Sequence, residues 1–194
     1  MKKQIHYFTV IKSIVTACLL LVCVSATGLA QSAENDYKLR VDIVGVPGEG
    51  IGGSIEGAQF VSGLVMDSST TGASISRAKF TPIVITKPID SATPKLQTIC
   101  AGGQRLHQVQ ISFIRTNRAL KNGEQVFLRI MLEDVQVTSV NIRLPKQGDA
   151  KSMLDSGEPY EEVAFSFSRI TWTYTLANGN TIKEAWDLRS GREF

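Results

Sequence analysis

Cysteine and histidine are nearly missing from this 194-residue chain, which holds three of the first and two of the second. Beyond residue 30 only Cys100 and His107 remain. One thiol excludes an internal disulfide there, and one Cys with one His cannot make a four-ligand zinc set. No Gly-x-Ser-x-Gly nucleophile elbow occurs. Long apolar runs are missing as well. The longest, Ile14–Ala26, has 13 residues, against the roughly 20 of a membrane-spanning helix.

Acidic residues are absent from the first 30 positions, where Lys2, Lys3 and Lys12 precede the apolar run and Gly28 and Ala30 follow it. Charge, short apolar run and small residues in that order predict a secretory signal peptide over 1–30, cut after Ala30. Cys18 resembles a lipoprotein site only faintly, because the strongest apolar stretch lies after it. Those three lysines account for the whole formal charge of +3. The remainder is neutral, so a global basic field for nucleic acid is not supported, although a local stripe stays open. Residues 31–36 read as a polar spacer, and 37–194 as one domain held by its own core or by oligomerisation.

From Tyr37 the apolar residues mostly alternate, the signature of half-buried strands. Leu39, Val41 and Ile43 form one such row; Val109, Ile111 and Phe113 another. Strand signals also cover Ser54–Met66, Lys79–Thr86, with Pro82 suggesting an edge or bulge, and Thr181–Leu188. Asn122-Gly123 and Asn178-Gly179 are hairpin signals. In Val126–Ile142 the alternation changes phase at Glu133-Asp134 and again at Ser139, and in Val163–Leu176 at Ser168-Arg169. Such slips are what bulges produce, and bulged strands bend until a sheet closes. The expected fold is mainly β: an antiparallel β-barrel of two packed sheets with one short flanking α-helix.

The helix is expected in "ITKPIDSATPKLQTICAGG", residues 85–103. Asp90 or Ser91 supplies a cap, with Thr93 and Pro94 in the first turn. Leu96, Ile99 and Cys100 share a face, and Gly102 with Gly103 ends the helix.

Other motifs point to structure rather than chemistry. Gly48, Gly50 and Gly53 have dinucleotide-binding spacing, but a strand pattern follows where a helix is needed. Cys100 and His107 read as a core thiol and a strand-edge imidazole. Glu161 and Glu162, being adjacent, point to opposite faces of a strand. Asp134, Asp149 and Asp155 lack calcium-loop spacing. Trp172, Tyr174 and Trp186 read as aromatic core more readily than as a ligand platform. No catalytic residue, metal ligand or cofactor is expected.

"FTPIVITKPIDSATPKLQTICAGG", then a Val-x-Ile-x-Phe strand, "VFLRIMLEDVQVTSV", "EEVAFSFSRITWTY" and "AWDLR" together resemble the haemolysin-coregulated protein (Hcp) family, the tube subunits of type VI secretion. The resemblance covers Tyr37 to Arg189. It implies a homo-hexameric ring with a central channel, rings that stack into tubes, and small effectors carried in the lumen. It maps the ring-stacking loop to Asp67, Ser68, Ser69, Thr70, Thr71, Gly72, Ala73 and Ser74. The predicted leader departs from that pattern and places the protein in the periplasm or the medium. No nucleic-acid partner and no stable membrane insertion after processing are expected. The other reading is a monomeric exported barrel that binds a small ligand or a partner protein.

Overall fold

A computed structural model describes residues 37–66, 78–117, 123–145 and 158–194. The expected leader and spacer, the expected stacking loop Asp67–Ser74, and Asp149 and Asp155 lie outside the described residues.

The chain is antiparallel throughout its strand pairings, and those pairings form a circuit. β1 (Tyr37–Ile43) pairs with β2 (Ile55–Gly57) on one side and with β7 (Arg105–Thr116) on the other. One residue beyond β2 the same segment resumes as β3 (Gln59–Val61), which pairs with β6 (Ile83–Pro88). β6 pairs with β9 (Tyr160–Ser166), β9 with β8 (Glu124–Arg143), and β8 with β7. That returns to β1 and leaves no edge inside the circuit. An arm extends from it: β10 (Arg169–Thr175) pairs with β8, β11 (Thr181–Asp187) with β10, and the two-residue β12 (Arg192–Glu193) with β11. β4 (Leu64–Met66) and β5 (Ala78–Phe80) form a separate two-stranded ribbon.

β8 makes the circuit close. Its first half carries β10 on one flank, and its second half carries β9 on that same flank. The handover lies at Asp134, a non-glycine residue at φ 51°. Aspartate tolerates this left-handed conformation better than most side chains. The phase change foreseen at Glu133-Asp134 is therefore a backbone kink, since the β7–β8 register runs through it unbroken. The slip near Ser139 is a bulge, with Thr138 the extra residue between Val137 and Ser139. A further bulge, with Phe127 extra opposite Phe113/Ile114, had no signal in the alternation. At Ser168 the strand is interrupted between β9 and β10.

Two segments read as single strands are divided. Ser54–Met66 becomes β2, β3 and β4, and Lys79–Thr86 becomes β5 and β6 with a break at Thr81-Pro82. Proline has no amide hydrogen for a ladder, so the chain changes sheets there. β6 is consequently not an edge, lying between β3 and β9. At Gly57 a Cβ would lie 2.5 Å from Leu39 Cδ2; glycine lets β2 cross β1 at this distance.

One apolar cluster fills the circuit. Val41, Ile83, Ile85, Ile111, Leu132 and Phe165 belong to it, all almost fully buried. Each such side chain contributes about 1.5–3 kcal/mol by leaving water. Helix α1 (Thr93–Gly102) adds Leu96 and Ile99 to the same cluster, with Cys100 packed partly against it. A ten-residue helix is too short to be stable alone; its apolar stripe is part of the barrel's own core. It ends at Gly103, φ 62°, whose N–H donates to the Cys100 carbonyl while that of Gln104 reaches back to Ile99.

Candidate assembly site

Four residues bolt helix α1 to the barrel wall. Lys87 on β6 sits directly across the ladder from Glu161 on β9. The Lys87 side chain is 2 % exposed and that of Glu161 0 %. The Lys87 ammonium donates to Glu161 Oε1 at 2.7 Å, to Asp90 Oδ1 at 2.8 Å and to the Pro88 carbonyl at 2.7 Å. The Thr93 hydroxyl donates to the same Glu161 oxygen at 2.9 Å. Asp90 also accepts the Ala92 N–H, and Thr93 Oγ1 accepts the Asp90 N–H.

This corrects the expected cap. Asp90 turns the chain ahead of the helix, and Ser91 donates instead to the Pro47 carbonyl. The residue at the helix entry is Ala92, which makes no side-chain cap bond. Thr93 and Pro94 occupy the first turn, and Gly102 the last position. A lysine and a glutamate deep in a core are affordable only as a pair. The sequence signal was a lysine inside an otherwise apolar strand, "IVITKP", but nothing in the spacing indicated Glu161 as its partner.

A second polar hub surrounds the β8 kink. Asp134 accepts hydrogen bonds from Arg105 at 2.9 Å, from the Ser168 hydroxyl at 2.8 Å and from Arg189. It ties the start of β7, the β9–β10 break and the turn after β11 to one point. Beside it, Asp187 accepts the backbone N–H groups of Ser190 and Arg189 and the Arg169 guanidinium at 2.9 Å. These bonds hold its carboxyl below the ordinary aspartate value, the Ser190 amide contributing most.

The remaining feature is apolar and exposed. Val61 on β3 and Leu64, Val65 and Met66 on β4 are all more than half exposed. β5 contacts the body through Phe80, stacked on Trp172 at 6.3 Å and edge-on to Phe167 at 5.9 Å. A lone two-stranded ribbon is marginal in water, and clustered exposed apolar side chains mark an interaction surface.

The expected chemical candidates do not converge. His107 is exposed on β7, while Cys100 lies on the core side of α1. Glu161 is in the bolt, and Glu162 points the other way to Arg143 at 2.8 Å. Trp172 and Trp186 pack against the core, and Tyr174 meets Phe127 edge-on. Among the described residues no group of three His, Cys, Asp or Glu side chains could hold a metal ion.

A family model described as "Type VI secretion system effector, Hcp" matches residues 53–174. The chain belongs to the Hcp family. The match runs from the loop before β2 through β10 and so spans the bolt, the kink and the ribbon. A "Major exported protein" of Pseudomonas aeruginosa is 28 % identical over 109 residues. The match takes in 54 % of this chain and 58 % of that relative's length. Among solved structures, Hcp1 of Salmonella typhimurium is similar with a TM-score of 0.66 at 21 % identity, covering 82 % of this chain and 99 % of that one. Hcp1 of E. coli EAEC 042 gives 0.60 at 23 % identity, covering 78 % and 98 %. At these identities the two structures show a shared fold, mainly antiparallel β, with one α-helix among the described residues of this chain.

Proposed function

We propose that this protein is an exported, ring-forming subunit of the type VI tube kind, six copies closing around a channel, with no catalytic role. The exposed apolar ribbon β4–β5 carries the reading. It is a separate two-stranded sheet whose Leu64, Val65 and Met66 face solvent in one subunit, and burial against a second copy removes that cost. Membership of the Hcp family supports the ring, and the name of the Pseudomonas relative supports export. Asp67–Ser74, which joins the two strands of the ribbon, is the segment assigned to stacking between rings. The lumen carries a small effector.

Native mass spectrometry of protein recovered after export from a bacterial host tests this. The expected spectrum shows a chain lacking about its first 30 residues in a six-subunit complex. A processed chain that stays monomeric at high concentration overturns the ring.

A further inference from the structure

A hollow of about 270 Å³ opens where β1 runs into the loop of residues 44–53. Asp42 and Val44, Gln108 and Gln110 of β7, and the backbone of Gly52 and Gly53 line it. Asp42 and Gln110 lie directly opposite each other in the β1–β7 ladder, so their side chains share one face. Gly52 and Gly53 stand at φ 72° and 80°, a conformation that other side chains rarely adopt. The hollow therefore stays empty of side chains on that wall. The loop is fixed by its own backbone. The Gly48 N–H donates to the Gly53 carbonyl and the Gly50 N–H to the Ser54 carbonyl, both at 2.8 Å. A Cβ on Gly48 would lie 2.5 Å from the Ser54 carbonyl oxygen. The glycines with dinucleotide-like spacing thus build a preformed wall instead of a phosphate cradle.

Asp42 is the one charged residue lining the hollow. It is half-buried, and among the described residues no ion pair reaches it. Its carboxylate accepts from the Gln110 amide nitrogen at 3.3 Å, longer than the usual range of about 2.7–3.2 Å. The Gln108 amide nitrogen donates to the Met131 sulfur. Each carboxamide spends a nitrogen inside the protein, and neither carboxamide oxygen accepts a hydrogen bond among the described residues. Arg40, two residues back on β1, does not offset Asp42. It lies 3.6 Å from Glu124 and directly opposite Glu56.

One carboxylate and two carboxamide oxygens are acceptors in search of donors. A primary ammonium carries three donors and no acceptor. Val44, 88 % exposed at the rim, offers apolar surface to the methylenes that precede such a group. We propose that the hollow is a binding site for a primary alkylammonium group. A lysine side chain of a polypeptide and a free aliphatic amine both present that chemistry. Other ligand classes fit less well. The volume is below the roughly 300–1,000 Å³ of pockets for drug-sized ligands, and the carboxylate repels phosphate. No aromatic ring lines the hollow for a base to stack on. The inference goes beyond the proposed assembly and needs only one subunit.

The test is saturation-transfer NMR on the full protein, with n-pentylammonium and N-acetyl-lysine methylamide as probes. Pentanoate and the Nε-acetylated lysine derivative are the rivals, one reversing the charge and the other removing it. Saturable transfer to the methylenes of both amines is expected, and none to the rivals. Asp42→Asn is expected to weaken binding about five-fold, the scale of one exposed charge pair. Val44→Lys keeps Asp42 and sets a like charge at the rim, and it should also weaken binding. Glu184→Gln removes an exposed carboxylate four strands away and should leave affinity unchanged. Unaltered thermal unfolding of the three variants confirms that the fold is kept. Tighter binding of the lysine derivative assigns the site to a polypeptide, and tighter binding of n-pentylammonium to a free amine. The proposal is overturned if neither amine binds, if a rival binds as well as the amines, or if Asp42→Asn and Glu184→Gln have equal effects.

Discussion

Lys87 Nζ lies 2.7 Å from Glu161 Oε1, with both side chains sealed from water and Glu161 Oε2 without a partner among the described residues. The pair is a cross-strand neighbour on the β6–β9 ladder, and it also receives helix α1 through Asp90 and Thr93. Removing one member strands a charge in the core. Lys87→Met is therefore expected to destabilise the subunit by about 3–5 kcal/mol, whereas Lys87→Met with Glu161→Leu recovers most of that loss. Denaturant midpoints of the two variants measure the difference. Equal losses would mean that the bolt is not acting as a charge pair.

Asp134 combines two roles that substitution separates. Its carboxylate gathers Arg105, Ser168 and Arg189, and its backbone holds φ 51° at the kink of β8. Asp134→Ala and Asp134→Gly lose the same hydrogen bonds, but only glycine reaches this conformation without steric cost. The alanine variant should be less stable than the glycine variant by about 1 kcal/mol, read from thermal or urea unfolding. Identical stabilities would show that the kink relaxes once the carboxylate is gone.

Much of this fold was legible because strands announce themselves by alternation. Leu39/Val41/Ile43 and Val109/Ile111/Phe113 appear as written, and the helix at Thr93–Gly102 followed from one stripe, one proline and a terminal glycine pair. Breaks were harder. Pro82 could be an edge, a bulge or a stop, and only its neighbours in space decide that. The Phe127 bulge left no mark because both flanking faces are apolar, so an extra residue does not disturb the pattern. The bolt was invisible for another reason. Lys87 and Glu161 are 74 positions apart, and a buried ion pair depends on register between strands that the spacing of residues along one chain does not encode.

Asp187 gives the turn after β11 a pH dependence. Amide hydrogen bonds from Ser190 and Arg189, together with the Arg169 guanidinium, lower its carboxyl pKa in the folded state. Its contribution is then complete above the unfolded value of about 3.9 and disappears as pH falls through the lower folded value. Below neutral pH the Ser190 and Arg189 amides should keep their protection from hydrogen exchange until strongly acidic conditions. Asp187→Ala, which has no side-chain acceptor, should lose that protection at every pH. Wild-type protection that disappears already near pH 5 would contradict the lowered carboxyl.

The ribbon decides between a subunit that stands alone and one that assembles. Leu64 and Met66 are 58 % and 68 % exposed, so within one chain they stabilise little. Leu64→Ser with Met66→Ser is expected to leave the unfolding midpoint of the monomer within about 0.5 kcal/mol, the scale of surface substitutions. If β4 is buried against a second copy, the same changes remove apolar contact at about 25 cal/mol per Å² of lost burial, repeated at every interface of a closed ring. A shift of the native mass spectrum from six subunits toward one, with the monomer's stability intact, is the expected result. An intact ring in the double variant would place the interface elsewhere and leave the exposed ribbon to contacts outside the ring.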